Sequence, residues 1–247
     1  MKKTMLLLFS LLFCLNGKAQ TSAIKNNILV IVYDVSASVN NASADELKKS
    51  LIQVCKPNTD VAIFLANECS NNAGNTKLFK FISTYKAPTG FRTDAQRKLD
   101  FMQKNIVEQS DCKRMLTNVI NYLIILNQKS APKSYLLDLL PKIKESVKEY
   151  TNSIDIMFIS DLLEDSSRII MKPFANKISA EKEAKTVVKK LINDYNNLSN
   201  TCFGKVRSIK VIIPKGVSES KMVFVDYFWS SIFNSLGYYK NITWSKL

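Results

Sequence analysis

Residues 28–33 (Ile-Leu-Val-Ile-Val-Tyr) form an unbroken apolar run rich in β-branched side chains, and the run stops at Asp34. A strand that is apolar at every position has no face to give to water. It belongs inside a parallel sheet covered on both sides. Parallel strands need helical crossovers, so this stretch commits the chain to an α/β architecture. Past Tyr33 the chemistry switches to Asp34-Val35-Ser36-Ala37-Ser38, with oxygen-bearing side chains at alternate positions. Open α/β sheets bind ligands beyond the carboxyl ends of their strands. One carboxylate and two hydroxyls there suit a hard divalent cation, which takes oxygen ligands and keeps several waters.

The rest of the chain supplies the elements such a sheet requires. Ser43 with Glu46 three residues on is a capping box, and Leu47, Leu51 and Val54 share one face of the helix it opens. Asp60–Ala66 and Leu78–Thr84 read as strands, separated by the turn-rich stretch Asn71–Asn75. A charged helix is expected from about Asp94 to Gln109, a second over Val119–Asn127, and a third through Leu136–Tyr150 with Pro141 as a kink or restart. Ile154–Ile159 is another buried strand, ending in Ser160-Asp161. An amphipathic helix follows over Ala180–Tyr195, then a strand over Ser208–Ile213. An aromatic-rich helix over Lys221–Leu236 stops at Gly237, and Tyr238–Trp244 closes the sheet as an edge strand. In that helix Phe228, Trp229, Ile232 and Phe233 recur at helical spacing and read as core. Apart from the extra helix through Leu136–Tyr150, the order β-α-β-β-α-α-β-α-β-α-β predicts a doubly wound, mostly parallel six-stranded sheet. Its short β-β step makes one antiparallel edge strand.

Asp34-Val35-Ser36-Ala37-Ser38 resembles the DxSxS signature that opens the metal-ion-dependent adhesion site of von Willebrand factor A (vWA) domains. The vWA fold is similar to the predicted one: a Rossmann-like sheet of six strands, one antiparallel at the edge, with helices on both faces. The likeness covers nearly all of residues 20–247 as one domain, with an apparent helical insertion around 130–150. It implies that a threonine ahead of a later helix and an aspartate ending the fourth strand complete the site. Thr117, before Asn118-Val119-Ile120, and Asp161 match those positions. Thr93 is a rival for the threonine, although as a residue opening a helix it reads better as a cap. By this likeness Ser36, Ser38 and Thr117 touch Mg²⁺ or Mn²⁺ directly, while Asp34 and Asp161 act mainly through bound water. One coordination position then remains for an acidic group on a protein partner. Leu162 stands where the family commonly has glycine, which bears on the shape of that loop.

Composition bounds the setting. At 247 residues, 46% of them hydrophobic and 23% charged, the chain can bury a full core. Lys2 and Lys3 precede the apolar stretch Met5–Leu15, and Gly17-Lys18-Ala19 offers small residues at the two positions a signal peptidase reads. Cleavage after Ala19 is expected, giving an exported protein, periplasmic or extracellular. A lipoprotein attached through Cys14 is disfavoured by the bulk of Phe13. The net charge of +14 falls to about +11 once Lys2, Lys3 and Lys18 are removed. Its lysines fall largely on helix faces and no recognisable nucleic-acid motif accompanies them, so no nucleic-acid partner is expected. Cys55, Cys69, Cys112 and Cys202 would face an oxidising compartment, where one or two disulfides are expected and three connectivities are possible. Histidine is absent, which removes His-based triads and the usual general base at neutral pH.

The leading expectation is therefore a metal-dependent binding module and not an enzyme. A Mg²⁺-dependent phosphoester hydrolase would gather Asp34, Asp161, Glu164 and Asp165 around its ion. Ser36, however, stands where a haloacid-dehalogenase-type phosphatase carries a second aspartate. A metal-free scaffold with a vestigial site is the third reading.

Overall fold

A computed structural model describes residues 27–35, 43–67, 76–127, 131, 133–166, 169, 171–215, 217 and 222–246. They form a six-stranded sheet with five α-helices: β1 (Asn27–Asp34), α1 (Ala44–Val54), β2 (Thr59–Ala66), β3 (Thr76–Phe79), α2 (Asp94–Asn127), α3 (Leu140–Val147), β4 (Ile154–Ile159), α4 (Lys177–Asp194), β5 (Val206–Ile213), α5 (Val225–Ser235) and β6 (Thr243–Lys246). Strand order is β3-β2-β1-β4-β5-β6, and only β3 runs antiparallel to its neighbour. The expected Rossmann-like α/β arrangement is the one observed.

Strand β1 has partners on both sides, and its side chains alternate between two cores. Ile28, Val30 and Val32 face a core closed by α3, α4 and α5, which includes the fully buried Phe228, Trp229, Ile232 and Phe233. Leu29, Ile31 and Tyr33 face the other core, closed by α1 and α2. This is why β1 is apolar without interruption. Residues 136–147, read from sequence as an insertion, pack as a core layer: Leu136, Leu137, Leu139, Leu140, Ile143 and Val147 are all buried. A 3₁₀ turn, Leu137–Leu139, leads into α3 with Pro141 in its first turn, where a missing N–H costs nothing. Gly237 ends α5 with φ at +97°, and a Cβ there would lie 2.8 Å from the Asn200 carbonyl oxygen. No other residue fits that turn.

Two expectations change. The third strand stops at Phe79 instead of running to Thr84, because the next segment turns away from the sheet. The Phe81 N–H donates to Asp60 Oδ1 at 2.8 Å, and the Thr84 N–H donates to Asp111 Oδ2 at 2.6 Å on α2. The two helices expected over 94–127 are one helix of 34 residues, about 50 Å long at 1.5 Å per residue. An eight-residue strand spans only about 26 Å, so α2 outreaches the sheet. Its carboxyl end lies near the carboxyl end of β1, since the Ala131 N–H donates to the Val35 carbonyl at 2.9 Å. Its middle meets Cys55, just before β2 begins. The amino-terminal half therefore extends past the opposite edge of the sheet, with Leu99, Met102 and Ile106 exposed. Cys55, Cys112 and Cys202 are buried thiols, and no disulfide joins them; Cys69 lies outside the described residues.

Candidate functional site

The chain runs from β1 outward to β2 and β3, then returns to start β4 on the other side of β1 and continues to β5 and β6. The reversal point lies between the carboxyl ends of β1 and β4. In open α/β sheets this is where the two crossovers diverge and leave a crevice for a ligand. Asp34 ends β1 at that point, and Ser160 and Asp161 follow β4.

Asp34 is fully buried, and its carboxylate is gripped from two sides. The Ser134 hydroxyl donates to Oδ1 at 2.7 Å, and the Ser160 hydroxyl donates to Oδ2 at 2.8 Å. Ser160 Oγ also accepts the Leu162 N–H at 2.8 Å, and Asp161 Oδ1 accepts the Leu163 N–H at 3.0 Å. The turn after β4 thus holds itself in place through its own side chains. Leu162 adopts φ 56°, the left-handed backbone that glycine enters freely. The loop shape that the missing glycine put in question is taken by leucine instead. Two anchors hold it there: a wholly buried side chain, and a carbonyl that accepts the Trp229 indole N–H at 2.8 Å.

Glu164 is the next buried acid, 1% exposed. Its Oε2 accepts the N–H groups of Leu136 at 2.7 Å and Leu137 at 3.1 Å, satisfying donors at the start of the 3₁₀ turn. Burial pushes its carboxyl up to about 8, against the pull of Ser166 and of those two amides, and the Asp138 charge adds to the rise. The Glu164 carboxyl group turned to these amides braces the segment that carries Ser134.

The residues singled out by sequence separate as follows. Asp34 and Asp161 end up at neighbouring strand ends. Ser36 and Ser38 lie outside the described residues. Thr117 is not brought to this place: it is exposed within the unbroken helix α2, and its hydroxyl donates to the Lys113 carbonyl at 3.0 Å. A helical threonine satisfies its hydroxyl on the preceding turn in this way. Thr93 caps α2, accepting the Gln96 N–H at 3.3 Å while Gln96 Oε1 accepts the Thr93 N–H at 3.0 Å. The hydroxyl that does reach Asp34 belongs to Ser134, and its sequence signal was a small polar residue just ahead of the Leu136-Leu137 helix start.

The donor set is all oxygen. Two carboxylates and neighbouring hydroxyls fit a hard cation that retains water. Among the described residues there is no group of three or more Asp, Glu, Cys or His side chains that could hold a metal by themselves. Nor is any helix among them long and apolar enough to cross a membrane.

No family model matches the sequence, and no curated protein matches it. Among solved structures, the chain is similar to the human COPII-coat protein Sec24c, with a TM-score of 0.42 and 8% identity. The match covers 90% of this chain and 29% of that one. A likeness this low carries no argument about function; the fold assignment rests on the sheet order and directions.

Proposed function

We propose that the chain is an exported vWA-like binding module that engages an acidic group of a protein partner through Mg²⁺ or Mn²⁺. The observation that carries this reading is the convergence of Asp34, Ser134, Ser160 and Asp161 at the reversal point between β1 and β4. Asp34 and Asp161 would supply charge, and Ser36 and Ser38 hydroxyl oxygens. Ser134 takes the place that the vWA resemblance gave to Thr117. Few charges around a cation leave it attractive to a further carboxylate, which is the chemistry an adhesion site requires. Glu164, which a hydrolase would bring to the ion, turns its Oε2 to the amides of Leu136 and Leu137.

One observation favours a second reading, a metal-free scaffold. A buried Asp34 with a hydroxyl on each oxygen is already satisfied as a structural hub. Capture of candidate partners with Mg²⁺ and with EDTA separates the two, using wild type beside Asp34→Ala with circular dichroism as the fold check. A binding module loses every cation-dependent interaction in the variant while keeping its fold. A partner held equally well in EDTA and by Asp34→Ala overturns the proposal.

A further inference from the structure

Two cysteines on different helices meet where the long arm of α2 leaves the body. Cys55 follows the last turn of α1, its N–H donating to the Leu51 carbonyl at 2.8 Å. Cys112 lies on α2, and the two thiols are close enough to perturb one another. Both are 5% exposed and belong to the core on this face of the sheet. Cys202 packs in the core on the other face, its Sγ directed at the Leu236 carbonyl oxygen at 3.7 Å, so the sheet separates it from the pair.

The geometry points to Cys55 and Cys112 as a built-in cross-linking site, oxidised to a disulfide that fastens the end of α1 to the middle of α2. The oxidant is an external disulfide, either small-molecule or the active-site disulfide of an exchange protein. One cysteine thiolate attacks a sulfur of that disulfide, breaking its S–S bond, releasing one oxidant thiol and leaving a mixed disulfide. The second cysteine then attacks the protein sulfur of the mixed disulfide, forming the Cys55–Cys112 bond and releasing the second oxidant thiol. Two electrons and two protons pass from the cysteines to the oxidant. In the folded chain the contact with Cys55 holds the Cys112 thiol below its ordinary value. That contact, together with burial, raises Cys55. Both sulfurs are shielded once the core closes, so the bond forms while the chain folds and afterwards resists reductant. It closes a loop containing β2, β3 and the arm, and pins α2 at the point where packing on the sheet gives way to solvent.

The test folds the full chain in a glutathione and glutathione-disulfide buffer, denatures it without reductant, alkylates it and weighs it intact. Two thiols escape alkylation in the wild type and in Cys202→Ser, and a non-reducing peptide map links Cys55 to Cys112. Cys55→Ser and Cys112→Ser each expose the remaining partner. Reductant added to the folded chain under partially denaturing conditions lowers the melting midpoint of the wild type but not that of the Cys55→Ser/Cys112→Ser double variant. Full alkylation of the wild type, a map joining Cys112 to Cys69 or Cys202, or equal sensitivity of wild type and double variant to reductant overturns the proposal.

Discussion

Replacing Glu164 by glutamine should change how stability depends on pH far more than it changes stability at pH 5. The wild-type carboxyl, 1% exposed, is pushed up to about 8 in the folded chain, against an ordinary value of 4.5. A group whose folded value is raised binds its proton more tightly in the native state. Its contribution is complete below about 4.5 and is lost as pH rises through about 8. The gap is worth about 5 kcal/mol at roughly 1.4 kcal/mol per pH unit, a large part of a stability of about 5–15 kcal/mol. Glutamine imitates the protonated acid and does not ionise. Its side-chain oxygen can still accept the Leu136 and Leu137 N–H groups. Urea unfolding of both proteins at pH 5, 6.5 and 8.5 measures the difference. The two should agree within about 1 kcal/mol at pH 5, and the variant should lead by several kcal/mol at pH 8.5. Parallel pH profiles would refute the reasoning and make Glu164 a charged cap instead.

Leu162→Gly relieves the left-handed backbone at φ 56°, worth about 1 kcal/mol, but empties a site where the side chain is wholly buried, worth about 3 kcal/mol. A net loss of about 2 kcal/mol by denaturant unfolding is expected, and a gain would mean that strain dominates that turn. Among the described residues the buried Tyr33 hydroxyl has no hydrogen-bond partner, so Tyr33→Phe should stabilise by about 1 kcal/mol in the same assay. A loss there would show that the hydroxyl has a partner in solution.

What the sequence made legible follows from where its information is local. β1 and β4 could be read because strands buried on both faces are almost wholly apolar, Asp155 being the one charged residue within β4. The capping box at Ser43 and Glu46 is likewise a feature of four consecutive residues. Both ends of helix α2 read as helical, over Asp94–Gln109 and Val119–Asn127, but not residues 110–118 between them, although Cys112, Met115 and Leu116 are buried there. That error moved Thr117 to a helix start it does not occupy. Ser134 was passed over because its role depends on a contact across 100 residues with Asp34, which spacing cannot show. Leu162 in a glycine conformation was invisible for a similar reason: the buried pocket and the Trp229 hydrogen bond that hold it come from elsewhere in the chain.

A cation bound at the reversal point between β1 and β4 would raise the thermal unfolding midpoint. The full chain is melted in EDTA, Mg²⁺, Mn²⁺ or Ca²⁺, beside Asp34→Asn, which keeps one acceptor oxygen and replaces the other with a donor. A cation at about a hundredfold its dissociation constant stabilises by roughly 2.7 kcal/mol, a rise of several degrees for a domain of this size. That rise is expected with Mg²⁺ or Mn²⁺ in the wild type and not in Asp34→Asn. A midpoint that no cation moves would contradict it and leave Asp34 as the structural hub of a metal-free fold.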